Sequence, residues 1–202
     1  MKNARLMIRW ILLSFLAIVL LQPVTEGQSE QGVPVFQITP ITSKITFHVD
    51  ASVKIEGTFE KWDSTLTFTS TDVSSGQVDI KIQADSVNTG SKSKDERLKG
   101  KDCFDVEQNP LITFHSTKIV QTGPNTFEIP GTFTLRGISK TESLTLTVNK
   151  ADERSGKIDG ALAIDRRDYG LKGSIPFVKI ADRVDVTIAL NAKRVSGAAL
   201  LK

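Results

Sequence analysis

Apolar and polar residues alternate along most of this chain, segment after segment. Ile45, Phe47, Val49 and Ala51 fall on one side of an extended backbone, with Thr46, His48 and Asp50 on the other. The same period of two returns in Leu66 and Phe68, in Val78, Ile80 and Ile82, in Ile112 and Phe114, and in Phe127 and Ile129. It continues in Phe133 and Leu135, in Leu144, Leu146 and Val148, at Ile158, and in Val184, Val186, Ile188 and Leu190. Successive side chains of a strand point to opposite faces, so this rhythm marks strands with one buried face. Threonine is abundant on the opposite faces, as a half-buried pleated surface favours. Ser75-Gly76, Gly123-Pro124-Asn125 and Ser155-Gly156 punctuate the runs, and hairpin-length connections follow Val120 and Lys150. The pattern predicts about eight or nine strands.

One internal stretch breaks the rhythm. Residues 91–100, SKSKDERLKG, are rich in helix formers and end in a glycine. They are expected to form a short helix across one end of the sheet, anchored by Leu98 and followed by Cys103 and Phe104. Its charges are expected to form a solvated face. Strands this numerous, without helices between them, make a sandwich or an antiparallel barrel. About eight of them closed into a barrel leave an interior that side chains fill or that holds one ligand. No Pro/Gly-rich linker interrupts residues 35–195, so one all-β domain is expected there. The triplet GTF recurs at 57–59 and 131–133, but with no fixed period to support a solenoid.

The start of the chain has a different grammar. Lys2, Arg5 and Arg9 precede an apolar run from Trp10 to Leu21, interrupted by Ser14 and closed by Gln22 and Pro23. That run is shorter than the ~20 residues a membrane-spanning helix needs. It has the form of a secretory signal, with Thr25 and Gly27 as the small residues before a cut. The expected organisation is a signal peptide at 1–27, a polar tether at 28–34, the barrel at 35–195 and a tail at 196–202. A bacterial periplasmic or secreted location is expected, with no cysteine directly after the apolar run to carry a lipoprotein anchor and no Asn-x-Ser/Thr sequon; the alternative is a retained amphipathic or tilted anchor.

Composition then removes several classes of function. The chain of 202 residues carries 26 basic and 23 acidic side chains, a net of +3. The leader holds three of the bases and one acid, Glu26, so the remainder is close to neutral. A near-neutral body has no electrostatic footprint for nucleic acid. Cys103 is the single cysteine, so no internal disulfide forms, and it is read as a small buried hydrophobe. His48 and His115 sit on the polar register of their strands and are expected to point outward, not to bind zinc. Asp102, Asp105 and Glu107, near Pro110, read as turn and capping residues. There is no Gly-x-Ser-x-Gly elbow and no glycine-rich phosphate loop. No catalysis, metal or cofactor is expected.

The block RLKGKDCFDVEQNPLITFHST at 97–117 carries a resemblance, together with GTFTLRGISKTESLTLTV at 131–148 and DRRDYGLKG at 165–173. In chain order come Gly57-Thr58-Phe59, Ser86-Val87-Asn88-Thr89, Asn109-Pro110 with the strand to Thr117, Leu135 to Lys140, and Arg166 to Gly170. The set resembles the YceI-like family, exported lipocalin-like antiparallel barrels associated with binding polyisoprenoid lipids. The resemblance runs from about Val35 to Arg194. It implies a barrel whose inward side chains line a tunnel for an isoprenoid tail, of the polyprenyl phosphate or isoprenoid quinone type. The wall residues implied are Phe47, Val49, Phe59, Trp62, Phe68, Phe104, Phe114, Phe133 and Tyr169. Lys94, Arg97 and Arg166 are candidate donors to a headgroup phosphate or quinone oxygen; the alternative is surface pairing with Asp95, Glu96 and Asp168. A lipid cargo implies transient contact with a membrane, for transport, storage or sequestration. The competing reading is a non-catalytic interaction module with a filled barrel, acting through its surface or as a homodimer. A lipid-directed enzyme, third, needs a buried His48 or an accessible thiolate at Cys103.

Overall fold

The computed structural model describes residues 32–38, 42–150, 152, 154–172 and 178–200. The expected signal peptide, its cut near Gly27 and most of the tether lie outside the described residues. Among the described residues the chain forms twelve antiparallel strands: β1 (Val35–Ile38), β2 (Lys44–Ala51), β3 (Ile55–Phe59), β4 (Trp62–Phe68), β5 (Gly76–Gln83) and β6 (Val87–Asn88). Then follow β7 (Leu111–Ser116), β8 (Val120–Gln121), β9 (Thr126–Leu135), β10 (Ile138–Lys150), β11 (Ser155–Asp165) and β12 (Ile180–Ser196). A single α-helix, α1 (Lys92–Lys99), stands between β6 and β7 among the described residues.

Twelve strands reduce to eight staves. The order of pairing is β4-β5-β7-β9-β10-β11-β12-β2-β3-β6. Its two ends belong to one bent hairpin, because β3 runs on into β4 and β5 into β6. At the bend, Glu60 N–H donates to Ser86 O at 3.1 Å and Gln83 N–H to Lys61 O at 2.9 Å. The Ser86 hydroxyl fills the gap in the ladder, accepting from Lys61 N–H at 3.0 Å and donating to Gln83 O at 2.7 Å. Chain continuity therefore closes the ring, which is the eight-stranded barrel expected. β1 adds to β12, and β8 to β9. The pair Ser155-Gly156 opens β11 and is not a turn: Gly156 lies opposite Lys150, and the turn falls before it.

The buried faces are those of the sequence pattern. Ile45, Phe47 and Val49 on β2, Val78, Ile80 and Ile82 on β5, and Ile158, Leu162 and Ile164 on β11 all point inward and are buried. Connections alternate between the two ends, and one end carries a cap. It is built from α1, the turns at 100–109, the β9–β10 hairpin and the short 3-10 turn Arg166–Tyr169. The hairpin is a two-residue turn in which Leu135 pairs with Ile138. Arg136 and Gly137 both have positive φ, 54° and 71°. This is the primed geometry that matches the twist of the flanking strands, and Gly137 supplies it without steric cost. From that turn the Arg136 guanidinium donates to Gly170 O at 2.9 Å and Cys103 O at 3.3 Å. One side chain thus ties three cap segments together. Lys172 N–H adds a bond to Asp102 O at 2.9 Å.

The helix forms where expected, with Ser91 as N-cap, but its ends are held otherwise. Ser91 makes no capping bond; the Asp95 carboxylate accepts instead from Thr89 N–H at 2.8 Å and Thr89 Oγ1 at 2.6 Å. Gly100 ends the helix with φ −67°, so the left-handed geometry that favours glycine is not used there.

Candidate functional site

Directly beneath the cap the barrel is hollow. A cavity of about 140 Å³ is lined by Phe47, Val49, Ile55 and Phe59 from β2 and β3. Ile82, Ile112, Phe133, Leu135 and Ile164 extend it around the ring, and Ile180, Val184 and Val186 complete the wall from β12. Leu98, Cys103, Phe104 and Leu171 reach into it from the cap. One water needs only ~10–15 Å³ measured this way, so the space holds on the order of ten water-sized groups. Toward the other end Ile45, Ile80, Phe114, Ile129, Leu144, Ile188 and Leu190 are buried and line no part of this cavity. The cavity therefore occupies the capped end of the interior.

Local sequence explains why the hollow end stays open on one side. Phe47 lies opposite Gly57, and a Cβ on Gly57 would stand 2.8 Å from the Phe47 ring. The ring lies over the glycine instead of projecting across the barrel. Phe47 then meets Phe59 at 5.7 Å between ring centroids, and Phe59 meets Phe104 of the cap at 5.9 Å. The wall is thus aromatic along one line from barrel to cap.

Of the wall residues implied by resemblance, Phe47, Val49, Phe59, Phe104 and Phe133 line this cavity. Trp62, Phe68, Phe114 and Tyr169 do not. Phe114 and Phe68 lie in the core outside this cavity, Phe68 with its ring 5.8 Å from that of Phe36. Trp62 is half-buried at the end of β4 beside the hairpin bend. Tyr169 has no exposed surface; its ring stands edge-on to Phe133 at 5.4 Å and its hydroxyl donates to Glu142 Oε1 at 2.7 Å. Burial, then the Glu142 hydrogen bond and the nearby carboxylate charges, push the Tyr169 phenol well above its ordinary range. It is a structural plug between the cap and β9–β10. Sequence reasoning assigned no face to Ile55, Ile164, Leu171 and Ile180, and it left Ile82, Ile112, Leu135, Val184 and Val186, read as strand-face residues, out of the wall. Ile55, Leu171 and Ile180 lie at strand ends or in a loop where no period can assign a face.

The polar members of the lining are Thr89, Lys94, Arg97, Cys103 and Arg166. Arg166 is largely enclosed by protein groups: its guanidinium donates to Ala181 O at 3.0 Å and Leu171 O at 3.1 Å, and meets Asp182 at 3.2 Å. Lys94 Nζ donates to Lys54 O at 3.1 Å. The surface pairings offered as an alternative are not those observed. Asp95 is taken by Thr89, Asp168 by Lys140 at 2.9 Å, and Arg166 by Asp182. Cys103 is buried, and burial raises its thiol pKa; the charge of Asp102 adds to this, while Arg97, Arg136 and Arg166 partly oppose it. The thiol is accordingly protonated near neutral pH and a poor nucleophile. His48 and His115 point outward, with side chains 49% and 56% exposed, each beside an aspartate. Neither condition for an enzymatic reading is met by these residues.

Comparison with known proteins places the architecture. The family described as "YceI-like domain" matches residues 36–192. A UPF0312 protein of Pseudomonas syringae pv. tomato is 29% identical over 139 residues, 66% of this chain and 71% of that protein. A UPF0312 protein of Pseudomonas fluorescens is 26% identical over 142 residues, 67% of this chain and 72% of that one. Among solved structures, Burkholderia cenocepacia BcnA superposes with a TM-score of 0.69 at 26% identity, covering 77% of this chain and 99% of that chain. A polyisoprenoid binding domain from Saccharophagus degradans gives 0.62 at 16% identity over 80% of this chain and 99% of its own, a likeness of fold.

Proposed function

The chain belongs to the YceI-like domain family, and from that premise we propose that it is a non-catalytic carrier of a polyisoprenoid lipid. The apolar tail enters the capped end of the barrel, and the protein acts in the bacterial periplasm or outside the cell. The observation that carries the reading is the cavity itself: a wall of aliphatic and aromatic side chains around about 140 Å³, roofed by Leu98, Phe104 and Leu171. A tail of ~10 carbons, two isoprene units, would gain roughly 8 kcal/mol gross at ~0.8 kcal/mol per carbon. Association and ordering costs consume part of this, leaving useful affinity without any polar contact. Longer tails would continue past the rim or spread the wall. The likeness in fold to a polyisoprenoid binding domain from Saccharophagus degradans is consistent with the same use of this fold.

Native mass spectrometry of the protein purified after export, followed by organic extraction, tests the reading. A co-purifying isoprenoid, or saturable binding of farnesyl compounds by the emptied barrel, is the expected result. Protein that is free of lipid and takes up no prenyl chain overturns it. The same spectra report the mature N-terminus, and an intact Met1 would remove the export proposal.

A further inference from the structure

We propose that the cavity selects amphiphiles with an anionic head, a carboxylate or a phosphate monoester, and that Arg97 assisted by Lys94 holds that head at the rim. The inference rests on the lipid-carrier reading and narrows it: a neutral alcohol or quinone on the same tail is the poorer ligand.

The reason is unbalanced charge. Three cations line the cavity, and no aspartate or glutamate is among its lining residues. They are not equivalent. Arg166 is committed to Asp182, Ala181 O and Leu171 O, and acts as a clamp on the connection from β11 to β12. Lys94 has one acceptor among the described residues, Lys54 O, which leaves donors of its ammonium free for a second oxygen. Arg97 makes no side-chain hydrogen bond or ion pair among the described residues, so its whole guanidinium fork is available.

Placement makes the two exposed cations one receptor. Lys94 and Arg97 are three residues apart on α1, and so lie on the same face of the helix. Both line the cavity yet are solvent-exposed, which puts them at its rim. Lys94 bridges to Lys54 in the turn from β2 to β3, so the rim runs between that turn and the helix. Two acids stand between them in sequence: Asp95 is turned to Thr89 N–H and Oγ1, and Glu96 is exposed and does not line the cavity. A guanidinium matches carboxylate and phosphate oxygens bidentately, and an ammonium adds a point charge beside it. A hydroxyl or quinone oxygen offers neither the charge nor the fork. The anion remains partly hydrated at the rim while the tail displaces water below it.

Calorimetric titration with four probes tests the inference on the mature protein: farnesyl phosphate, farnesoic acid, farnesol and inorganic phosphate. The three prenyl probes share a tail and differ at the head. Both anions are expected to bind more tightly than farnesol, by about tenfold for two charge-assisted hydrogen bonds at an exposed site. The gap is expected to shrink in high salt, as an exposed ion pair is screened. In Arg97→Gln the gap between the anions and farnesol is expected to narrow, with Lys94 keeping the remainder, and Arg97→Lys to recover part of what is lost. Tighter phosphate points to a polyprenyl phosphate, and equal or tighter carboxylate to an isoprenoid or fatty acid; either supports the anionic head. Equal affinity for farnesol and the anions, or no effect of Arg97→Gln, overturns the inference and leaves the carrier reading intact. Inorganic phosphate binding as tightly as farnesyl phosphate also overturns it, showing a free-anion site. Failure of all three prenyl probes overturns the carrier reading itself.

Discussion

At the scale of single residues, Tyr169 and Cys103 define the two sides of the cap. Tyr169 is fully buried, and its hydroxyl is spent on Glu142. Tyr169→Phe removes that donor and leaves a half-buried carboxylate to find water, so it is expected to lower stability by about 1–2 kcal/mol in urea unfolding. Unchanged stability would mean that water reaches Glu142 freely. Cys103 shares the same direction of titration: both groups hold their proton more tightly folded than unfolded. The stability this represents is fully present below the ordinary thiol value of 9.0 and is lost as pH rises through the higher folded values. The unfolding midpoint is therefore expected to fall between about pH 9 and 11, and Cys103→Ala to flatten the start of that fall. Cys103 should also react with iodoacetamide more slowly than free glutathione at pH 8, with stopped aliquots counted by mass; an equal rate would place the thiol in water.

At the scale of elements, one glycine matters to the cavity more than any single Phe. Gly57 on β3 accepts the ring of Phe47 from β2, with Asn88 O 3.0 Å from the position of an added Cβ. Gly57→Ala pushes the ring off its seat, since the backbone oxygen behind it does not yield. The expected cost is about 1–3 kcal/mol, as for other overpacked cores, accompanied by weaker prenyl binding because Phe47 is driven into the cavity. A variant that is destabilised yet binds normally would show that the ring escapes elsewhere. The helix α1 illustrates the reverse dependence. Eight residues with no buried member are too short to be stable alone. The helix is held by Leu98 against the core, by Lys94 on Lys54 O and by Asp95 on the Thr89 turn. Its place in the chain was legible from composition, whereas its partners were not, because each lies on a different element.

At the scale of the whole molecule, ligand and barrel stability are linked. A prenyl ligand at about a hundred times its dissociation constant should stabilise the fold by about 2.7 kcal/mol, read as a rise in melting temperature; no shift at saturation would argue that the ligand binds folded and unfolded chain alike. The period of two was sufficient to assign the inward faces of β2, β5, β7 and β9, and with them the barrel, because burial on one face of a strand is a local property of alternate residues; on β11 it marked Ile158 alone. Phe47 and Phe133 were accordingly legible as interior residues, while Phe59 came from the family resemblance. The same pattern placed Phe114 and Phe68 among them without showing which end holds the cavity, and the resemblance placed Tyr169 at a wall where it plugs a corner. The sequence by itself determined the strands, their faces, the helix and the family likeness. Only the tertiary structure decided that twelve strands make eight staves, where the void lies, and that Arg166 is bound to protein groups while Arg97 is free. Those outcomes depend on which side chains from distant segments meet at one end of the barrel, and neither period nor composition carries that distance.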